Sequence, residues 1–414
     1  MNKNVKLLGM AAVISMTFAS CSSDEMKEIY QGEGISFTTK VNTRATVTKL
    51  ENLDGFHVYA DAEGYDNMFI NGQLATKESE GSNKYVIKDE NNGSYYWPSE
   101  VKNIEFWAYG PKDIDITPVI TSGTQAFKPF TPKAALDEGG KEHLDFVVAY
   151  AKAKREESGS GVTLNFNHAL SQVIVNAKRG DSSKRVYVKG AWIMNVKGTG
   201  TLTFKDDTTQ YPNHMSWETS GSNVNYGVTF PEHKTLDKDY QFMGNTEENF
   251  NSTLMLIPQT VSKWDGKADG SNNGAFILLL CRVEAVHDGT VHEGSGSSDN
   301  VGIEDEKHIH QLFPATGTYN EKQYGYTCVP VDLTWEPGYK YIYNLEFCGA
   351  NSGAGIYPPT PLPSGLPSHD KDENIITDRP DGKDVGSLVL DNPIGFTVTV
   401  KEWTNDGDNN VDMN

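Results

Sequence analysis

Cysteine is scarce: four thiols in 414 residues, at positions 21, 281, 328 and 348. A disulfide-dense scaffold is excluded, since a chain this long buries cores of its own and needs no such staples. Positive charge is scarce too. Lys and Arg total 36 against 56 Asp and Glu, a net charge of -20. Such a surface repels phosphate backbones, so nucleic acid is not expected as a partner. Past the first twenty residues no apolar run approaches the ~20 residues that span a bilayer as a helix. No amphipathic pattern of three helical turns is present. The Gly-x-Ser-x-Gly elbow, the Walker loop, the dinucleotide fingerprint and the His-Glu-x-x-His helix are all missing. The chain is therefore not expected to be an enzyme, and no catalytic residue, cofactor or metal is expected.

What is present is turn-forming and aromatic. The chain carries 39 Gly, 18 Pro, 19 Tyr and 17 Phe, the mixture of many short strands joined by tight turns. Period-two alternation recurs in Phe56–Ala60, Ile104–Tyr109, Val162–Val175 around a break at His168–Ser171, Tyr339–Phe347 and Ile394–Trp403, while Asp145–Tyr150 and Phe276–Val283 read as apolar strands. Length predicts two or three domains. The charged, then Gly/Ser-rich stretch 152–161 marks a boundary. The expected fold class is all-β, two sandwiches in series, with 47–160 and 161–403 as the domains and 404–414 as a polar tail. Segments 284–325 and 349–384 read as long polar loops.

Isolated sites weigh little. His308-Ile309-His310 puts two imidazoles on one strand face with Glu304 and Glu306 near, a spacing found in zinc sites. No third ligand stands at a diagnostic spacing, so a solvated pair is the expectation. The stretches 265–274 and 405–410 lack the bidentate Glu of calcium loops and read as turns. His168, between apolar strands, reads as a packed core histidine. Cys281 reads as a core thiol, and Cys328 with Cys348 as a bridge only if their strands adjoin.

The amino terminus is more telling. Lys3 and Lys6 precede an apolar core, Leu7–Phe18, too short for a mature span, and then Ala19-Ser20-Cys21. Residues 1–20 resemble a bacterial lipoprotein signal. That resemblance implies cleavage before Cys21, acylation of its thiol and attachment to the outer membrane. The acidic Ser22-Ser23-Asp24-Glu25 that follows resembles the export tag of surface lipoproteins of Bacteroidetes. Residues 21–46 then form a lipidated tether plus one strand, in which Ile35, Phe37, Thr39 and Val41 share a buried face. A polar segment holding Arg44 and Ala45 follows. Arg44 is the sole arginine before position 155.

Taken with Tyr96-Trp97-Pro98, Phe106-Trp107-Ala108-Tyr109-Gly110-Pro111, Phe166-Asn167-His168-Ala169-Leu170-Ser171, Leu256-Ile257-Pro258-Gln259 and Trp335 to Tyr343, these stretches resemble the fimbrillin-like lipoproteins of Bacteroidetes, which include major and minor pilins. The resemblance implies two transthyretin-like β-sandwich domains and a fimbrial role at the cell surface in adhesion. It implies polymerisation with other pilin subunits by a donated strand, after an arginine-specific surface protease cuts between Arg44 and Ala45 and the first strand leaves. The alternating region 388–403, with Phe396, Val398, Val400 and Trp403, is the expected donor. A non-polymerising surface lipoprotein, either a pilus anchor or a glycan-binding module, is the alternative.

Overall fold

The computed structural model describes residues 34–41, 53–88, 93–99, 101–132, 143–157, 159, 161–204, 214–244, 253–268, 274–288, 301–304, 307–367 and 375–402. Among them there is no α-helix, in line with the all-β expectation; a single 3-10 turn spans Arg155–Glu157. The strands of the first half are β1 (Ser36–Val41), β2 (Gly55–Ala62), β3 (Ile70–Lys77), β4 (Lys84–Ile87), β5 (Asn103–Gly110), β6 (Pro118–Thr121), β7 (Thr124–Phe130), β8 (Val147–Lys154) and β9 (Val162–His168). The second half opens with β10 (Ser171–Arg179) and two long strands, β11 (Lys184–Phe204) and β12 (Met215–Thr235). Short strands β13 (Gln241–Phe242), β14 (Leu254–Leu256) and β15 (Thr260–Val261) follow, then β16 (Phe276–Asp288), β17 (Val301–Glu304) and β18 (Lys307–Phe313). The chain closes with β19 (Tyr324–Pro330), β20 (Leu333–Thr334), β21 (Tyr339–Phe347), β22 (Ile375–Ile376) and β23 (Gly395–Glu402).

The first body is a closed barrel in the order β1-β4-β3-β2-β5-β8-β9. Alternation along each strand sends one set of side chains inward, where Ile35, Phe37, Phe56, Val58, Phe106, Leu164 and Phe166 make a single apolar core. The second body is a two-sheet sandwich. One sheet runs β13-β10-β21-β23, with β14 also on β10; the other runs β17-β18-β16-β11-β7-β6, with β12 on β11 and β19 on β16. Tyr341, Tyr343, Leu345 and Phe347 of β21 face Ile277, Leu279, Cys281 and Val283 of β16 across this core. The Trp335 indole N–H donates to the Tyr343 hydroxyl at 3.0 Å, so the buried phenol keeps a partner.

Both bodies join through a third apolar cluster. Tyr109, Phe127, Phe146, Phe204 and Met255 meet there, with Phe127 5.1 Å from both Tyr109 and Phe146. This joint alters the expected division at 160/161. Strand β9 pairs with β8 and β1, so both sides of this stretch belong to one body and the barrel ends at His168. Residues 118–130 lie before that division yet form β6 and β7, and β7 pairs with β11 of the sandwich. The cause is register: Leu164 and Phe166 fit the barrel interior, while Phe127 and Phe130 fit the joint.

The two expected loops are also built differently. Segment 284–325 contains the end of β16, then β17 and β18. In 349–384, Leu366 and Ile375 are buried against Leu278, Leu280 and Tyr326, on the back of β16. That cover explains why β16 is apolar at every position from Phe276 to Cys281: both of its faces are buried.

Candidate strand-exchange site

Strand β1 is inserted between β4 and β9. It pairs antiparallel with β4 (Ser36↔Val86, Phe37↔Tyr85, Thr38↔Lys84) and parallel with β9 from Phe37↔Val162 to Val41↔Phe166. It is thus a central strand, bonded on both sides, and the stave that closes the barrel. Phe37 is fully buried, in edge-to-face contact with Phe106 at 5.5 Å and Phe56 at 6.2 Å. Ile35 and Thr39 are buried with it, whereas Thr38 points outward with its hydroxyl 3.2 Å from that of Thr163. Alternation therefore places Ile35, Phe37 and Thr39 inside, as the sequence implies. Val41 pairs at the end of the strand.

Two glycines let the strand seat so deeply. Gly161 has φ of 97°, and a Cβ there would lie 3.1 Å from the Ser36 hydroxyl and 3.2 Å from its carbonyl oxygen. Gly34 packs on Ser94, where a Cβ would lie 2.9 Å from the serine Cβ. The Ile35 amide donates to the Tyr95 carbonyl at 2.7 Å, fixing the point where the chain enters the barrel.

The expected donor, β23, lies at the edge of its own sheet, antiparallel to β21 from Tyr339↔Glu402 to Glu346↔Gly395. Among the described residues it has one partner strand where β1 has two. Its grip is uneven. Val400 and the preceding Ile394 are buried and Val398 is half-buried, but Phe396 is 42% exposed. Phe396 and Val398 thus lie on a sheet margin where a strand costs least to detach. Cys21, Arg44, Ala45 and Trp403 lie outside the described residues.

His168, the described cysteines and Asp265 lie in packing or turn positions. His168 is fully buried and its Nδ1 is 2.9 Å from the Asp145 carboxylate, itself buried. Cys281, Cys328 and Cys348 are buried free thiols, so no bridge joins Cys328 to Cys348. Burial pushes the Cys348 thiol up to about 11, helped by Asp181 and opposed by Lys184. The Asp265 carboxylate accepts the Lys267 amide at 3.0 Å, the turn chemistry expected there. Sequence reasoning missed one residue: His287, which the β16–β18 register sets directly opposite His308. A hairpin pairing of the polar sequence after Val283 with Lys307–Phe313 is the signal that finds it.

The profile of the fimbrillin-like family matches residues 43–356. The chain belongs to that family. No functionally curated protein matches it. Similar solved structures include a candidate cell adhesion protein of Parabacteroides distasonis, 10% identical over 91% of this chain and 98% of its own, with a TM-score of 0.43. A candidate cell adhesion protein of Bacteroides ovatus is 17% identical over 76% of this chain and 92% of its own, with a TM-score of 0.39. A fimbrial assembly protein of Parabacteroides distasonis is 10% identical over 76% and 92%, with a TM-score of 0.33.

Proposed function

We propose that this chain is a fimbrial structural subunit, exported as a lipoprotein and assembled by protease-triggered strand exchange, in support of adhesion at the cell surface. Membership of the fimbrillin-like family supports the fimbrial part. The observation that carries the exchange is the seating of β1: a central strand, bonded on both sides, that ends three residues before Arg44. Cleavage between Arg44 and Ala45 would leave it held only by non-covalent contacts. Its departure strips the β4 and β9 edges of partners and opens the pocket that Phe37 fills. Exposed N–H and C=O rows beside an apolar slot are what an incoming strand satisfies. A head-to-tail contact of that kind need not close on itself and so yields a filament.

In this reading the partners are other pilin subunits, an arginine-specific surface protease and, through acyl groups on Cys21, the outer membrane. Region 388–403 of a neighbour is the donor. Large apolar side chains entering the slot contribute roughly 1.5–3 kcal/mol each, and new backbone bonds about 0.5–1.5 kcal/mol apiece. The subunit performs no reaction.

Mass-spectrometric mapping of the amino terminus in assembled, surface-shed protein tests the reading. Ala45 is expected there, and Arg44→Ala is expected to leave chains unassembled and still carrying the acylated Cys21 peptide. Assembled material that begins at an acylated Cys21 would refute processing and turn the assignment to an anchor or a non-polymerising lipoprotein.

A further inference from the structure

Three histidines converge at one end of the larger sheet of the sandwich. His287, next to last in β16, stands directly opposite His308 of β18 in the antiparallel ladder. His310 lies two residues further along β18, on the same face. One ring nitrogen from each of the three lies within 4.8 Å of the other two. Nε2 of His287 and Nε2 of His310 are 3.1 Å apart, their rings stacked at 22°. The His308 ring stands at 90° to that of His287, with centroids 5.2 Å apart. Nitrogens bound at ~2.0–2.1 Å to one tetrahedral Zn2+ sit roughly 3.3 Å from each other, so small rotamer shifts bring the trio onto one ion.

Hydrogen bonds orient the exposed ring. His287 Nδ1 is 3.1 Å from the Asp288 carbonyl oxygen. A carbonyl only accepts, so Nδ1–H donates to it and Nε2 of His287 is left to accept from Nε2–H of His310, a proton that a bound cation would displace. A backbone carbonyl holding the far ring nitrogen is the usual support of a metal-binding histidine. Burial is graded: His308 is buried, His310 half-buried and His287 exposed. An ion thus has an open side for entry and for a water ligand. Three imidazoles with no carboxylate among them suit zinc, copper or nickel rather than calcium or magnesium.

We propose that His287, His308 and His310 bind a divalent transition cation, Zn2+ foremost, and so clip β16 to β18. The site lies on the sandwich, so it is separate from the β1 slot. The untagged full chain, stripped with a chelator, is incubated with ZnCl2, freed of excess by gel filtration and assayed for bound metal. Wild type is expected to retain one Zn2+ per chain, and its Tm is expected to rise with zinc concentration. His287→Gln, at an exposed position where folding is safe, and His310→Gln are each expected to weaken binding at least tenfold with an unchanged far-ultraviolet circular dichroism spectrum. His233→Gln, away from the trio, is expected to bind as wild type does. No retained zinc in wild type, or equal retention in His287→Gln and His310→Gln, overturns the assignment.

Discussion

Phe37→Ala is expected to lower the unfolding free energy of the uncleaved chain by about 3–5 kcal/mol, the cost of emptying a large buried aromatic site. Phe37 is fully buried among Phe56, Phe106 and the other barrel residues, so no solvent-filled collapse relieves the cavity. Thr38→Ala, one residue along on the outer face, is expected to change stability by less than about 0.5 kcal/mol. Urea denaturation of the two variants measures the difference. The second half of the prediction separates this account from a static barrel. Filaments assembled from Phe37→Ala precursor are expected to be as stable as wild-type filaments, because the substituted strand has left. Filaments that carry the defect would show that β1 stays in place.

His168→Ala is the other large effect. His168 and Asp145 are both buried, with Nδ1 and the carboxylate oxygen 2.9 Å apart, beside Phe146 and Ala169 of the joint between the two bodies. Removing the imidazole leaves a carboxylate in apolar surroundings, at a cost of roughly 3–5 kcal/mol. Asp145→Ala in the His168→Ala background is expected to cost much less than it does alone, since the charge is then gone with its partner. Denaturant midpoints of the two single variants and the double variant test this. Fully additive effects would mean that the two residues do not act as a pair.

Local periodicity made much of the fold legible. Ile35, Phe37 and Thr39 alternate, and so do Tyr341, Tyr343, Leu345 and Phe347; both strands lie where alternation puts them, inner face included. Long-range pairing was not legible. Nothing within Val162–His168 says that it closes a barrel begun at Ser36, because that partnership joins residues more than a hundred positions apart. Polarity hid β17 and β18, where Lys307, His308, His310 and Gln311 look like loop residues until β16 lies beside them. The same gap hid His287: its partners are in sequence neither adjacent nor at a recognised metal spacing, and only the hairpin register unites them. Leu366 and Ile375 sit in a segment rich in Pro and Asp, and their burial follows from the back of β16 needing a cover. Strand β1 was readable because its signal is contiguous: Ile35, Phe37 and Thr39 alternate within one short segment.

Filling of the β1 slot by a neighbouring subunit is the central claim, and cysteine pairing in filaments tests it most directly. One cysteine replaces Thr163, the exposed β9 residue opposite Thr38, and the other replaces Thr397 on the outward side of β23. Cys281, Cys328 and Cys348 are buried and stay out of the reaction, and Cys21 is absent from filaments processed after Arg44. On oxidation, filaments of the double variant are expected to give a ladder of covalent dimers, trimers and longer multimers on a non-reducing gel, and the single variants none. No ladder with Thr397, together with a ladder when the second cysteine stands in residues 45–52, would contradict the carboxy-terminal donor. Absence of ladders from both pairings would contradict strand exchange at this slot.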